Sequence, residues 1–358
     1  MSRPELPEVG TRASVARLSA LAAELLRAAG LRRPDAEAMA ACLVFAQASG
    51  LNSHGLMHLP AYLRGLRQGA IRASFRLRFV GRREGVATLD AAGAPGVLAA
   101  LAASDRAVRL AGSAGVGAVA VRNSGHFGAA SAFVHRMVGQ GVVALVLSNA
   151  SPSVAPRGGR EARLGTNPLA AGFPRSDGEP VIIDLATTQG SRARIRKAAL
   201  EGSEIPADWA LDAAGRPTRD PEAALQGTMQ ALGGAKGTAL GLMVELLCVG
   251  LSGGLPGGAV RPPQDAGPAG VSHLFLAFDP TAFGGAKALS DKISEIAGGL
   301  ESVAPSDPDA PVRLPGARAA AARRRAEREG IAITPALAAA LAKARDEVAV
   351  AALSAAGG

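Results

Sequence analysis

"GSAGVG", Gly112–Gly117, is the stretch on which the choice of fold turns. Glycines at this density suit a turn that receives a dinucleotide pyrophosphate, but such a turn must follow a strand and open a helix. Here the order is reversed. Pro95 stands where a helix begins, and helical spacing of apolar residues runs from there to about Ala111. "VGAVAV" (Val116–Val121), which comes next, reads as a buried strand. The Rossmann reading therefore fails its context test. Outward from this point, "VVALVL" (Val142–Leu147), "VIIDLA" (Val181–Ala186) and "HLFLAF" (His273–Phe278) are further strand candidates, with a helix expected over about Ala129–Val138. "FRLRFV" and "GVATLD", between Arg72 and Ala91, alternate like strands. Helices are expected at about Ser14–Gly30, Asp35–Gly50 and Met57–Leu66, and again at Ala317–Glu329 and Pro335–Leu353. The segment Gly202–Leu232 reads as ordered but irregular, and the Gly- and Pro-rich loop Ser252–Gly270 has no pattern of its own. Helices, then a mixed body without regular βαβ alternation, then helices argue for an α+β fold rather than a doubly wound sheet.

The chain has 358 residues, 48% of them apolar and 19% charged, which excludes disorder of the whole and allows two or three domains. With aromatics at 3%, the core must be aliphatic. Its 45 glycines show no three-residue period, so it is not collagen-like. Two cysteines, Cys42 and Cys248, rule out a disulfide scaffold and a Cys-rich zinc site. The formal charge of +9 invites a nucleic-acid or membrane reading. The best nucleic-acid candidate, "ARAAAARRRAERE" (Ala317–Glu329), has interleaved Glu and no aromatic for stacking, so it reads as a solvated helix face. The most apolar run, Ala239–Leu255, contains Glu245 and falls short of the roughly 20 residues a membrane span needs. The N-terminal segment has no signal-peptide pattern. The expectation is a soluble cytoplasmic protein without nucleic-acid or membrane partners.

Histidine carries more information than the cations. Of five, His54 and His58 stand in "NSHGLMHLPAY" with Tyr62, the only tyrosine, at a spacing of four that would place all three on one helix face. His126 stands in "RNSGHFGAAS", between glycines, after a strand and before a helix, where active-site residues are common. The His54/His58 pair lacks the Glu that a zinc protease sets after its first His, and no third ligand is evident, so no metal site is expected. "GGAKGT" (Gly233–Thr238) reverses the phosphate-loop order, yet Lys236 at a helix N-terminus suits an anion.

Taken together, these strings resemble the type 2 malate/L-lactate dehydrogenase family, which includes sulfolactate and ureidoglycolate dehydrogenases and cyclic imino-acid reductases. "NSHGLMHLPAYLRGLRQGAI", "RNSGHFGAAS", "SNASPSVAPRGGREARLGTNPLAAGFP", "IIDLATT", "IPADWALDAAGRPTRDP", "LGGAKGTALGLMVELL", "FLAFDP" and "VRLPGA" follow in the family's order over about residues 15–345. The resemblance implies a non-Rossmann, sulfolactate dehydrogenase-like α+β fold with a central mixed or antiparallel sheet and terminal helices. Residues 1–75 and 317–358 would form a helical domain, and 76–316 the NAD(P)-binding catalytic domain, with 190–235 a candidate subdomain. It implies a homodimer using NAD or NADP to reduce a 2-oxo acid or a cyclic imine bearing a carboxylate. His126 would be the acid/base, and Ser53 and His54 its catalytic companions. His58, Tyr62 and Thr166 would meet the substrate. Ser148, Asn149, Asn167, Asp184, Leu185, Ala186, Arg194, Lys236, Gly237, Pro315 and Gly316 would meet the cofactor.

Several positions depart from the family pattern. Asn52 replaces its Asp, Arg194 its Lys, and Thr238 and Ala239 its Tyr or His and its Gly. His58 stands where the family has Arg, and an imidazole cannot reproduce a guanidinium's bidentate grip on a carboxylate. That substitution implies a substrate held differently from malate or lactate, or a relative that binds without efficient turnover.

Overall fold

The structure, a computed structural model, describes residues 5–262 and 267–356. The first four residues, part of the segment read as lacking a signal pattern, and residues 263–266 of the Gly- and Pro-rich loop lie outside the described residues.

A short strand β1 (Arg12–Ala13) precedes helices α1 (Val15–Ala28) and α2 (Arg33–Ala48). Ser14 caps α1 by accepting the Arg17 N–H, and Pro34 lies in the first turn of α2. Two 3-10 turns (Asn52–His54 and Leu56–His58) lead into α3 (Leu59–Arg67). The body follows: β2 (Arg78–Arg83), β3 (Val86–Asp90), α4 (Gly96–Ala114), β4 (Val116–Ser124), α5 (Ala130–Val138), β5 (Val143–Ser148), β6 (Leu169–Phe173) and β7 (Val181–Leu185). Next come α6 (Arg192–Glu201), β8 (Ala210–Leu211), α7 (Pro221–Gln226) and β9 (Thr228–Met229), so the segment expected to be irregular contains short paired elements. The chain closes with α8 (Ala235–Ser252), β10 (Val271–Phe278), α9 (Ala286–Glu301), α10 (Ala317–Glu329), β11 (Ile331–Ala332) and α11 (Pro335–Ala356).

The deciding stretch behaves as its context requires. Gly112–Ala114 finish α4, Gly115 turns the chain at φ +77°, and Val116 opens β4. The central sheet has seven strands in the order β2-β3-β4-β10-β5-β6-β7. Only β3 and β4 run parallel; every other neighbouring pair is antiparallel. This is the α+β architecture with a mixed central sheet.

Period-two alternation sends side chains to two cores. On one face Val119, Val121, Phe275 and Ala277 join α4, α5 and the N-terminal helices in the main core. On the other, Ala120, Leu147 and Leu274 pack with Val244 and Cys248 of α8 in a smaller one. The aromatic poverty is met by close approach. Ala99, Ala100, Ala103, Ala107 and Ala111 of α4 are fully buried, and their small side chains let the helix lie directly on the sheet. Phe133 and Phe275 fill the remaining volume, each burial contributing about 1.5–3 kcal/mol. The termini meet: β1 pairs with β11, α10 packs on α2, and α11 packs on α1 and α3.

Candidate active site

The His54–Tyr62 segment does not form one helix. The chain breaks at Gly55, where a Cβ would run into the backbone and side chain of Gln47. Buried Gln47 pins both turns, donating to Asn52 Oδ1 (2.8 Å) and accepting the Leu56 N–H (3.1 Å). The two turns nevertheless deliver His54, His58 and Tyr62 to one cleft, where His126 meets them from the loop between β4 and α5. His58 and His126 have ring centroids 4.4 Å apart, and His54 and His126 lie stacked at 5.8 Å. Tyr62 Oη sits 2.7 Å from His126 Nδ1 and 3.2 Å from the His126 carbonyl oxygen. That leaves His126 Nε2 as the ring nitrogen free for chemistry. Ser53 Oγ lies 3.0 Å from His54 Nδ1.

Desolvation lowers all three imidazole pKa values. His126 falls well below its ordinary value, through burial first and then through His58, His54 and His273. His58 falls to about 4, through burial and then His54 and Arg64. His54, more solvent-accessible, is lowered by the protein crowding it, against the pull of the Asp184 charge. Burial raises the Tyr62 phenol, which therefore stays protonated. At neutral pH the three imidazoles of the cleft are neutral: hydrogen-bonding groups that carry no charge of their own.

Beneath the cleft lies a buried polar layer. His273 on β10 is opposite Ser148 on β5, with Nδ1 2.8 Å from Ser148 Oγ and Nε2 2.9 Å from Ser124 Oγ. Ser148 Oγ donates to the Asn149 carbonyl (2.7 Å), so it accepts from His273 Nδ1–H, and Ser124 donates to Nε2. Burial pushes the His273 pKa down to about 3, keeping it neutral, and its ring stacks on Phe127 at 4.5 Å, beside His126. A second anchor is Glu245 of α8, buried and accepting from Asn149 Nδ2 (3.3 Å), Asn167 Nδ2 (2.9 Å) and the Gly257 N–H. Asn167 holds a left-handed φ of +32°, uncommon for a residue with a side chain, and its contacts to Glu245 and the Gly241 carbonyl hold it there.

Of the residues named from the sequence, His54, His58, Tyr62, His126, Ser148, Asn149 and Thr166 line the cleft. Ser53 is adjacent, and Asn167 lies buried beside Thr166. Asp184 accepts the Ser131 N–H (2.9 Å), capping the first turn of α5 directly after the His126 loop. Leu185 ends β7 opposite Leu169, and Ala186 follows it. The rest are not on the cleft wall. Arg194 lies over the Trp209 ring at 5.9 Å, Lys236 is exposed in the first turn of α8, and Gly237 is buried against Leu232. Pro315 and Gly316 lead into α10 where the chain touches Ile182 of β7. Three contributors had no role in the sequence reading: Ser124, Arg261 and His273. His273 left a signal, a lone polar residue at the head of an apolar strand; Arg261, within a patternless loop, left none.

The model for the malate/L-lactate dehydrogenase family matches residues 13–342. The chain is 42% identical over 266 residues to the (2R)-3-sulfolactate dehydrogenase (NADP(+)) of Chromohalobacter salexigens, covering 74% of this chain and 79% of that one. It is 35% identical over 328 residues to the Δ1-pyrroline-2-carboxylate reductase of Ancylobacter novellus, covering 91% and 95%. The crystal structure of Δ1-piperideine-2-carboxylate reductase from Pseudomonas syringae pv. tomato superposes with a TM-score of 0.85 at 32% identity, covering 94% of this chain and 99% of that one. A His126 held by Tyr62 in a histidine-lined cleft, on a non-Rossmann mixed sheet, thus coincides with a match over nearly the whole chain: the protein belongs to the malate/L-lactate dehydrogenase family.

Proposed function

We propose that the protein is an NAD(P)-dependent oxidoreductase that interconverts a small 2-hydroxy and 2-oxo acid, or reduces a cyclic imino acid, with His126 as acid and base. The observation that carries this is the hydrogen bond between Tyr62 and His126 Nδ1 within the neutral imidazole cluster. The residues fit a nicotinamide dinucleotide. Gly93, Gly96, Gly125 and Gly128 line the cleft beside His126 and add no side chains to it. Ser131 Oγ and Asn167 Oδ1, in the flanking segments, are buried without a protein partner. Lys236 with the amino end of α8 would hold phosphate, and Asp184 Oδ1 would accept a ribose hydroxyl. When bound, the nicotinamide supplies or accepts the hydride.

The chain's own residues handle the proton. In reduction, protonated His126 gives its Nε2 proton to the substrate oxygen or nitrogen, while Nδ1–H donates to Tyr62 Oη. The Tyr62 hydroxyl then donates to the His126 carbonyl oxygen, so both ring nitrogens and the phenol stay satisfied before and after transfer. In oxidation, neutral His126 takes the alcohol proton at Nε2.

The test follows nicotinamide absorbance with NADH and NADPH against a panel of 2-oxo acids and cyclic imino acids. Wild type is expected to turn over at least one member, and His126→Ala to lose about 100-fold or more in kcat. No turnover across the panel, or an unaffected His126→Ala, rejects the reading. His58 in the family's Arg position supports a second reading, a member that binds cofactor or metabolite without efficient turnover, and the same screen separates the two.

The reading includes a homodimer, supported by the exposed apolar face of α8. It includes a cytoplasmic setting, supported by the unpaired thiols of Cys42 and Cys248. It assigns no nucleic-acid or membrane partner. In the basic helix α10, Arg323 and Arg324 are engaged with Glu179, and Arg323 also lies over the Phe45 ring. Helix α8 is long and apolar enough to cross a membrane, but one face packs on β4, β5 and β10 and carries the buried Glu245 network.

A further inference from the structure

Three imidazoles meet in the cleft, and the protein holds them unequally. His126 Nδ1 is taken by Tyr62 Oη (2.7 Å), and His54 Nδ1 by Ser53 Oγ (3.0 Å). His58 is half-buried in the same lining, yet among the described residues none hydrogen-bonds its ring. Its neighbours are other rings: centroid to centroid, His126 lies 4.4 Å away and Tyr62, edge-on, 5.0 Å. A ring nitrogen without a protein partner on a cleft wall is available to whatever fills the cleft.

The titratable and charged groups around His58 come from every element packed on its turn. His54 stands on the preceding turn, Tyr62 and Arg64 on α3, and His126 on the β4–α5 loop. From α2 come uncharged Gln47 and the Cys42 thiol, which burial keeps protonated. α11 carries Lys343, Arg345, Asp346 and Glu347, and Glu347 is paired with Arg64 (3.7 Å) and Arg67 (2.9 Å). The Asp184 charge acts on His54, and Arg261, itself engaged, stands on the opposite wall. In the free protein burial, His54 and Arg64 hold His58 neutral, with a pKa of about 4.

A carboxylate in contact with the ring reverses that balance. An opposite charge at hydrogen-bond distance typically moves a pKa by about 1–3, and an anion brought into the cleft needs a partner. Imidazoles in mutual contact accept one proton but resist a second, because like charges would adjoin. We propose that His58 is a proton-gated carboxylate clamp: a small monocarboxylate and one proton from solvent enter the cleft together, and the proton stays on His58 as the counter-charge. This rests on the dehydrogenase reading of the cleft, but its test counts protons on binding rather than turnover. By linkage, carboxylate affinity is flat above the pKa of bound His58 and rises as pH falls below it, until the pKa of the free protein is reached.

The probe is pyrrole-2-carboxylate, a flat monoanion, with its neutral carboxamide as control. Both are titrated calorimetrically into the full chain from about pH 5.5 to pH 8, in buffers of different ionisation enthalpy that report the protons taken up. Wild type is expected to take up about half a proton or more near pH 6 and almost none near pH 8, with affinity about 10-fold or more higher at the acid end. The carboxamide should show neither effect. His58→Gln should lose both the uptake and the pH dependence. His58→Arg, whose charge does not titrate in this range, should bind independently of pH and more tightly than wild type near pH 8. His126→Gln should keep the uptake. No monocarboxylate binding by wild type, binding without proton uptake, uptake that survives His58→Gln, or uptake lost in His126→Gln would each overturn the proposal, the last two by seating the proton on another imidazole. A wild type that turns over a substrate but binds without uptake removes the clamp and leaves the dehydrogenase reading standing; uptake without turnover of any substrate does the reverse.

Discussion

At the scale of single residues, the cleft separates the group that moves a proton from the group that keeps it oriented. His126 transfers; Tyr62, buried and with its pKa raised, only holds. Because its hydroxyl reaches both Nδ1 and the His126 carbonyl, it stays bonded in either proton state of the ring. Tyr62→Phe should therefore lower kcat by about 10–100-fold with little change in KM, since a buried N–H loses its partner and the ring its fixed tautomer. The pH profile adds a readout that a packing defect would not move. Oxidation needs neutral His126, and the folded-state pKa is depressed. Its rate should be flat above pH about 6.5 and fall only as pH drops through the lowered pKa. In Tyr62→Phe that limb should shift. Unchanged kcat and an unchanged profile would show that the hydrogen bond has no catalytic consequence.

At the scale of elements, the start of α4 sets the position of the His126 loop. Gly96 sits so close to it that a Cβ would overlap the carbonyl oxygens of Gly125 and His126. Gly96→Ala is expected to displace that loop, costing about 1–3 kcal/mol of stability and most of the activity. Thermal unfolding alongside turnover checks this, and a variant with wild-type melting and rate would sink it. The same scale shows what the sequence made legible. α1, α2, α4 and α5, and the strands at Val116, Val143 and Val271, were readable because each presents an apolar set to a core, while the strand at Val181 was readable as a short β-branched apolar run. Helix α9 was missed although Leu289, Ile293, Ile296 and Leu300 recur at helical spacing; that stripe meets no core, Ala297 being its single buried residue. Strand β6, "LAAGF", is too short and small-sided to register, and charged α6 shows little apolar face. The spacing of His54, His58 and Tyr62 correctly grouped them, though two 3-10 turns do the grouping in place of one helix. His273 is brought beneath the cleft by the antiparallel insertion of β10 between β4 and β5, a long-range pairing with no local signature.

At the scale of the whole molecule, α8 joins the cleft to the outer surface. Its inner face contributes Val244 and Cys248 to the smaller core and Glu245 to the anchor beneath the cleft. Its outer face leaves Leu242, Met243, Leu246 and Leu251 exposed, Leu246 by 63%, with Leu255 just beyond. A helix apolar on every side is normally covered on every side, and a contiguous patch of this kind marks a contact surface. With a second copy as the occupant, a two-fold contact would bury the patch against itself. Sedimentation equilibrium of the full chain should then give twice the 35.8 kDa chain mass. Leu246→Glu should shift it toward the monomer, since two like charges would face each other across a desolvated contact. The dimer would clamp the helix whose other face holds Asn149 and Asn167 through Glu245, so dissociation should also lower turnover. A wild-type protein that sediments as a monomer, or a Leu246→Glu variant that remains fully dimeric, would remove α8 from the interface and leave its outer face to be covered by something other than a second copy.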